Sequence, residues 1–168
     1  MPTERDMRAK LEQLMAQHGS RLLRMCCLHL RDEGLAEDAV QETFIKAYRR
    51  LDTFRGESSE LTLLTGIAIN VCRDMLRTAW FRRIDRRVDI ARLPECAQAD
   101  AYADDTVLTE VMKLPAKLRE VILLRYYQEL TIRETADALH LATATIKERQ
   151  RKANALLHSR LKEWYFDE

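Results

Sequence analysis

The sequence predicts an all-α fold made of two small helical domains joined by a linker, the second domain containing a helix-turn-helix. Three observations predict it. Four glycines and three prolines in 168 residues are too few for a turn-rich β fold. Apolar residues recur at three and four along most of the chain, the spacing that gives a helix one buried face. The periodicity then fades between about Asp85 and Asp104, where Pro94 interrupts and Ala, Gln and Asp dominate. Structureless stretches of that length are uncommon inside one compact domain. The expected division is therefore 1–84, a linker over 85–104, and 105–168.

The first helical stretch runs from about Glu4 to Arg31, its apolar face carrying Leu11, Leu14, Met15, Leu22, Leu23, Cys26 and Leu30. Gly19 and Ser20 are placed to bend or split it. A second helix starts near Ala36 and buries Val40, Phe44, Ala47, Tyr48 and Leu51; its opposite face shows Asp38, Gln41, Glu42, Lys46 and Arg49. The segment DTFRGESSE, residues 52–60, reads as a loop. A third helix is expected to about Arg83, with Leu64, Ile67, Ala68, Val71, Cys72, Met75 and Leu76 inside and Gly66, Ile69, Asn70, Arg73, Arg77 and Trp80 on the far side. Three such helices can close a small core.

The second helical set begins near Asp105. Pro115 suits a first helical position, and Leu118, Val121 and Ile122 face inward after it. Thr131-Ile-Arg-Glu134 is a capping box, in which the Thr hydroxyl and the Glu carboxylate each satisfy a free backbone amide. Counting from Ile132, Ala136 is fifth, His140 ninth and Ile146 fifteenth, a spacing that resembles a helix-turn-helix. The ninth slot favours glycine because its backbone takes positive φ, at a cost of roughly 1 kcal/mol for an L-residue. Histidine is among the residues enriched there, so His140 makes the turn strained and not forbidden. Thr143 is expected to cap the next helix. Ile132, Ala136, Leu139, Ile146, Ala153, Leu157 and Leu161 form the inner surface, leaving Thr145, Lys147, Glu148, Arg151 and Lys152 for a DNA groove. Glu148 could accept from a cytosine amine or pair with Lys152.

A net charge of +1 hides strong patterning. Arg73–Arg92 holds seven arginines against three aspartates, and Lys147–Lys162 holds six basic residues against Glu148 alone. Between them, Pro94–Lys113 carries five acids against one lysine. Two basic patches flanking an acidic stretch fit a nucleic-acid partner better than the total does. No apolar run approaches the roughly 18 residues of a membrane span, and MPTERDMRAK is charged where a signal peptide is apolar, so a cytoplasmic protein without membrane insertion is expected. Cys26, Cys27, Cys72 and Cys96 make no CxxC pair and no histidine completes a zinc spacing, so neither metal nor other cofactor is expected. Cys26 and Cys72 sit in apolar runs as buried thiols; Cys96, in the linker, is the candidate for reactivity. There is no phosphate-cradling glycine loop, H-E-x-x-H or G-x-S-x-G, and an enzyme is not expected.

Two segments, AEDAVQETFIKAYRRLDTFRGESSELTLLTGIAINVCRDMLR at 36–77 and LPAKLREVILLRYYQELTIRETADALHLATATIKERQRKANALL at 114–157, together resemble the extracytoplasmic-function sigma factors of the sigma-70 family. The resemblance implies a subunit that binds core RNA polymerase and directs it to promoters. It casts Asp38, Gln41, Glu42, Lys46 and Arg49 as contacts to the polymerase clamp helices of the β′ subunit. It places the −10 element against the loop and third helix, where Arg55, Ser58, Ser59, Asn70, Arg73 and Arg77 could hold a flipped base and its strand. It places the −35 element against the helix from Thr143, through Thr143, Thr145, Lys147, Glu148, Arg149, Arg151 and Lys152. An anti-sigma factor is the further partner implied. The chain departs from the family pattern at Leu63, where Trp is usual, and at Gly66 and Ile69, where basic residues are usual, which predicts weaker strand-melting contacts. Glu148 and Gln150 depart in the −35 helix. The rival is a helix-turn-helix regulator whose N-terminal helices dimerise or sense.

Overall fold

The computed structural model describes residues 3–53, 59–78 and 105–165, apart from the side chains of 105, 106 and 162–165. All regular structure among them is helical. The linker at 85–104, with Cys96, lies outside the described residues, as do Arg55, Ser58 and Trp80.

Helix α1 spans Glu4–Leu30 without a break at Gly19. Thr3 and Asp6 close a capping box at its start, and Arg31 ends it in the left-handed region at φ 54, its N–H donating to the Cys27 carbonyl at 2.7 Å. Helix α2, Glu33–Arg50, begins three residues before the apolar pattern does, because Asp32 caps it by accepting from the Leu35 N–H at 2.8 Å. Helix α3, Glu60–Arg77, is capped by Ser59 and stops at Thr78, short of the expected Arg83. Leu14, Leu22, Met25, Cys26, Phe44, Ala47, Leu64, Ala68 and Cys72 fill the space between these three helices. Cys26 and Cys72 are free and buried as expected, while Cys27 is disulfide-bonded.

The second set comprises α4 (Asp105–Met112), α5 (Ala116–Ile122), α6 (Ile132–Leu139) and α7 (Thr143–Tyr165). Pro115 stands just outside α5, where its missing N–H costs nothing. After Ile122 the helix widens into one turn over Leu123–Tyr127, in which the Gln128 N–H reaches the Leu123 carbonyl at 3.0 Å, five residues back. The chain then reverses through Glu129 at φ 56. Thr131 and Glu134 form the expected capping box on α6. His140 does hold left-handed backbone, φ 56 and ψ 45, ending α6. Thr143 is the first residue of α7 and not its cap: the Ala142 carbonyl accepts from both Thr145 and Ile146. Ile146 and Ala153 are fully buried against α5 and α6, as their spacing requires.

The two sets pack against each other, which the one-face reading of α3 did not anticipate. Gly66 and Ile69 were expected on the open side of α3; both are buried, Ile69 completely. From Leu64 to Ile69 every residue is buried, because α1 and α2 cover one side of α3 and α6 covers the other. A Cβ added to Gly66 would lie 3.2 Å from the Ala138 carbonyl oxygen, so the two helix backbones approach there as only glycine permits.

Candidate nucleic-acid and polymerase interface

Helix α2 keeps its outer face in solvent. Asp38, Gln41 and Arg49 are exposed and Glu42 and Lys46 half-buried, while Ala36, Ala39, Thr43, Phe44 and Ala47 hold the other side in the core. The Thr43 hydroxyl donates to the Ala39 carbonyl at 2.7 Å, so the buried face carries no unsatisfied polar atom there. Sequence reasoning missed Ile45, which is 48% exposed beside these residues. Its signal was an apolar side chain out of phase with the buried positions Phe44 and Ala47.

Helix α7 presents Thr143, Lys147, Glu148, Arg151 and Lys152 to solvent, with Thr145 and Arg149 half-buried at the margin. Glu148 pairs with Arg151 through two hydrogen bonds, 2.7 and 3.1 Å, and with Lys152 at 3.9 Å. The bonds from Arg151 hold the Glu148 carboxyl below the usual carboxylate range and raise the Arg151 guanidinium. The expected alternative of Lys152 alone is therefore too narrow: three residues on is the closer partner. Gln150 turns away from this row. Its Oε1 accepts from the Arg125 Nε at 2.9 Å, while Arg125 also donates to the Leu130 carbonyl at 2.6 Å, tying α7 to the wide turn after α5.

The residues expected at the −10 element are split. Arg77 is exposed and 3.6 Å from Asp74. Asn70 is half-buried. Arg73, expected in the open, grips Glu120 with Nε and Nη2 at 3.0 and 2.6 Å, and Glu120 is itself buried on α5. Ser59 caps α3 and donates to Glu134 at 3.3 Å; Thr62 donates to the same carboxylate oxygen at 3.0 Å. Accepting from Thr131, Thr62 and Ser59 keeps the Glu134 carboxyl low. Both placements have one physical cause: the face of α3 left over after α1 and α2 pack is too apolar to stay in water, and α6 covers it.

Where α3 meets α5 and α7, a cleft of about 420 Å³ collects cations from both sets: Arg73 and Arg77, then Lys117, Arg119 and Arg149. Among the described residues, Glu120 is the one carboxylate lining it. His29 also lines it, buried, with its Nε2 making no hydrogen bond. Burial first, then the neighbouring Arg119 and Arg73, push the His29 pKa down to about 3, so the ring is neutral.

Comparison with known proteins bears on the family of the chain. The family description for sigma-70 region 2 matches residues 14–82, and that for sigma-70 region 4 matches residues 111–158. The chain is 30% identical to the RNA polymerase sigma-E factor of Streptomyces coelicolor over 157 residues, covering 90% of this chain and 86% of that protein. It is 29% identical to the ECF RNA polymerase sigma factor SigW of Bacillus subtilis over 157 residues, covering 85% of this chain and 84% of that one. Among solved structures it is similar to the sigma factor RpoE in complex with the anti-sigma factor NepR from Bartonella quintana, with a TM-score of 0.72 at 25% identity over 91% of this chain and 97% of that one. CnrH in complex with the cytosolic domain of CnrY matches with a TM-score of 0.69 at 28% identity, over 93% of this chain and 90% of that one. Two sigma-70 regions in order, on an all-helical frame whose second half is a helix-turn-helix, identify the chain as a member of the extracytoplasmic-function RNA polymerase sigma factors, which direct the polymerase to promoters.

Proposed function

We propose that this sigma factor divides its work among three surfaces. The outer face of α2, through Asp38, Gln41, Glu42, Lys46 and Arg49, holds the clamp helices of the polymerase β′ subunit; a row of mixed charge suits a polar helical partner. The cap and outer side of α3, through Ser59, Asn70, Arg73 and Arg77 with Arg55 and Ser58 of the preceding loop, take the −10 strand. Helix α7 enters the major groove of the −35 element with Thr143, Thr145, Lys147, Glu148, Arg149, Arg151 and Lys152. The working units are 1–84 and 105–168, with 85–104 as the tether between two promoter elements. An anti-sigma factor is the further partner; the Bartonella quintana relative bound to one supports that assignment.

One observation carries the proposal. The buried residues Ile146 and Ala153 fix the roll of α7 so that its basic row, and not its apolar side, faces solvent. Run-off transcription tests it. Purified protein added to core polymerase is expected to start transcripts at discrete sites on genomic fragments, with −10 and −35 spacing common to them. Core polymerase that stays inactive with the protein present, while the protein still binds those fragments, would return the chain to the class of plain DNA-binding regulators.

A further inference from the structure

Helix α7 carries an acid within its exposed basic row, and that acid is held in a set geometry. Glu148 accepts from the Arg151 Nη2 at 2.7 Å and from its Nε at 3.1 Å, with the Lys152 Nζ 3.9 Å away. Both partners stay in water, the Glu148 side chain 50% and the Arg151 side chain 67% exposed. The helix beneath them is fixed in roll. Ile146 and Ala153 are fully buried on its inner side, and Gln150 accepts from Arg125, which also donates to the Leu130 carbonyl. The pair therefore stands at a defined place in the N-terminal half of α7, the half that meets base edges.

An exposed ion pair adds little to stability, and a carboxylate set among phosphates is repelled. Accepting from a base offsets that repulsion. In the major groove the base amines are N4 of cytosine and N6 of adenine, so Glu148 alone does not separate the two. Arg151 does. A guanidinium has five donors, and Glu148 engages the Nε and one Nη2 proton. The edge formed by Nη1 and Nη2 keeps two donors, which match O6 and N7 of guanine; no other base presents two neighbouring acceptors there.

We propose that Glu148 and Arg151 together read one C·G pair of the −35 element, Arg151 donating to guanine O6 and N7 while Glu148 accepts from the N4 amine of the opposite cytosine. This rests on the assignment of α7 to the −35 groove. The order of groups agrees: one acceptor beside two donors on the protein meets one donor beside two acceptors across the base pair. The bonds to Glu148 hold the guanidinium in place before DNA arrives, so docking costs less side-chain freedom. Lys152 leaves the three side chains with a net positive charge, which suits the phosphates on either side.

Two variants of the full chain test this. Glu148→Gln keeps the shape and loses the charge, while Arg151→Lys keeps the charge and loses the fork. Both positions lie in water, and calorimetry is expected to find each variant folded. The probe is a promoter fragment located by run-off transcription, its −35 segment randomised. Sequencing the fragments retained by the full chain with core polymerase gives the base preference at each position. Wild type is expected to prefer a C·G pair at one position by about tenfold. Each variant, and the two combined, should lose that preference at the same position and keep the others. A preference kept in either variant, with affinity lowered evenly across all fragments, puts Arg151 on phosphate and overturns the proposal. Losses at different positions in the two variants, or loss of a preference for another base pair, overturn it as well. Wild-type protein that starts transcripts whatever the −35 segment contains brings down the −35 assignment itself, and the proposal with it.

Discussion

At the scale of single residues, two histidines carry opposite lessons. His140 sits at φ 56, the backbone that its place ninth in the helix-turn-helix spacing predicts. His140→Gly is expected to raise the unfolding free energy by up to about 1 kcal/mol in urea titration; a loss of stability would show that the imidazole makes a contact worth more than the strain. His29 was not legible, because its surroundings come from Arg73 and Arg119 on other helices. Its folded pKa of about 3 lies below the ordinary 6.5, so the unfolded chain takes up a proton that the folded chain refuses. Stability therefore falls as pH drops below about 6.5, by up to about 1.4 kcal/mol per pH unit until the folded pKa is reached. Above 6.5 the group contributes nothing to the slope. Subtracting the stability curve of His29→Leu from that of wild type isolates this proton, and a flat difference between pH 4 and 6 would contradict it. Gln150 teaches a third point. Its departure from the family pattern suggested altered promoter reading, whereas it braces Arg125 inside the domain.

At the scale of elements, the caps decided where helices begin and the apolar period decided which face is buried. Asp32 moved the start of α2 three residues ahead of its apolar pattern, and Thr131 fixed α6 where the sequence placed it. The outer faces of α2 and α7 followed from the same period. Reversing Asp38 and Glu42 to lysine is expected to lower affinity for core polymerase at least about tenfold, the effect of 1.4 kcal/mol, and leave the melting temperature within a few degrees. Pull-down titration against core polymerase measures the first and calorimetry the second; intact affinity would remove α2 from the polymerase interface. On α7, Arg151→Ala is expected to weaken −35 duplex binding more than Lys147→Ala, with each loss in the range of about 1 to 3 kcal/mol. The reason is local: without Arg151, Glu148 faces the phosphates with only Lys152 at 3.9 Å to offset it. Equal losses, or none, by anisotropy at fixed salt would displace that face from the groove.

At the scale of the whole molecule, the two sets share one buried surface running from Arg21–Gln128 through Gly66–Ala138 to Arg73–Glu120. Arg21→Ala should cost about 1 to 3 kcal/mol, because it strands the polar atoms of a nearly fully buried Gln128. Urea unfolding followed by tryptophan fluorescence and circular dichroism together would measure it; a change under about 0.5 kcal/mol would mean water already serves Gln128. A clue to this surface stood in the sequence. LTLLTGIAIN is apolar nearly all the way round a helix, and such a helix needs cover on more than one side. Three helices supply cover for one side of α3 only.

The sequence by itself determined the run of helices, the capping box at Thr131, the left-handed turn at His140 and the two regions of a sigma factor, because each depends on neighbours within a few residues or on a repeating period. Tertiary structure alone decided that Gly66 and Ile69 lie buried, that Arg73 belongs to Glu120, and that Ser59 and Thr62 answer to Glu134. Those pairings join residues 47 to 75 positions apart in the chain. No periodicity carries information over that distance; only the docking of one set of helices on the other creates the contact.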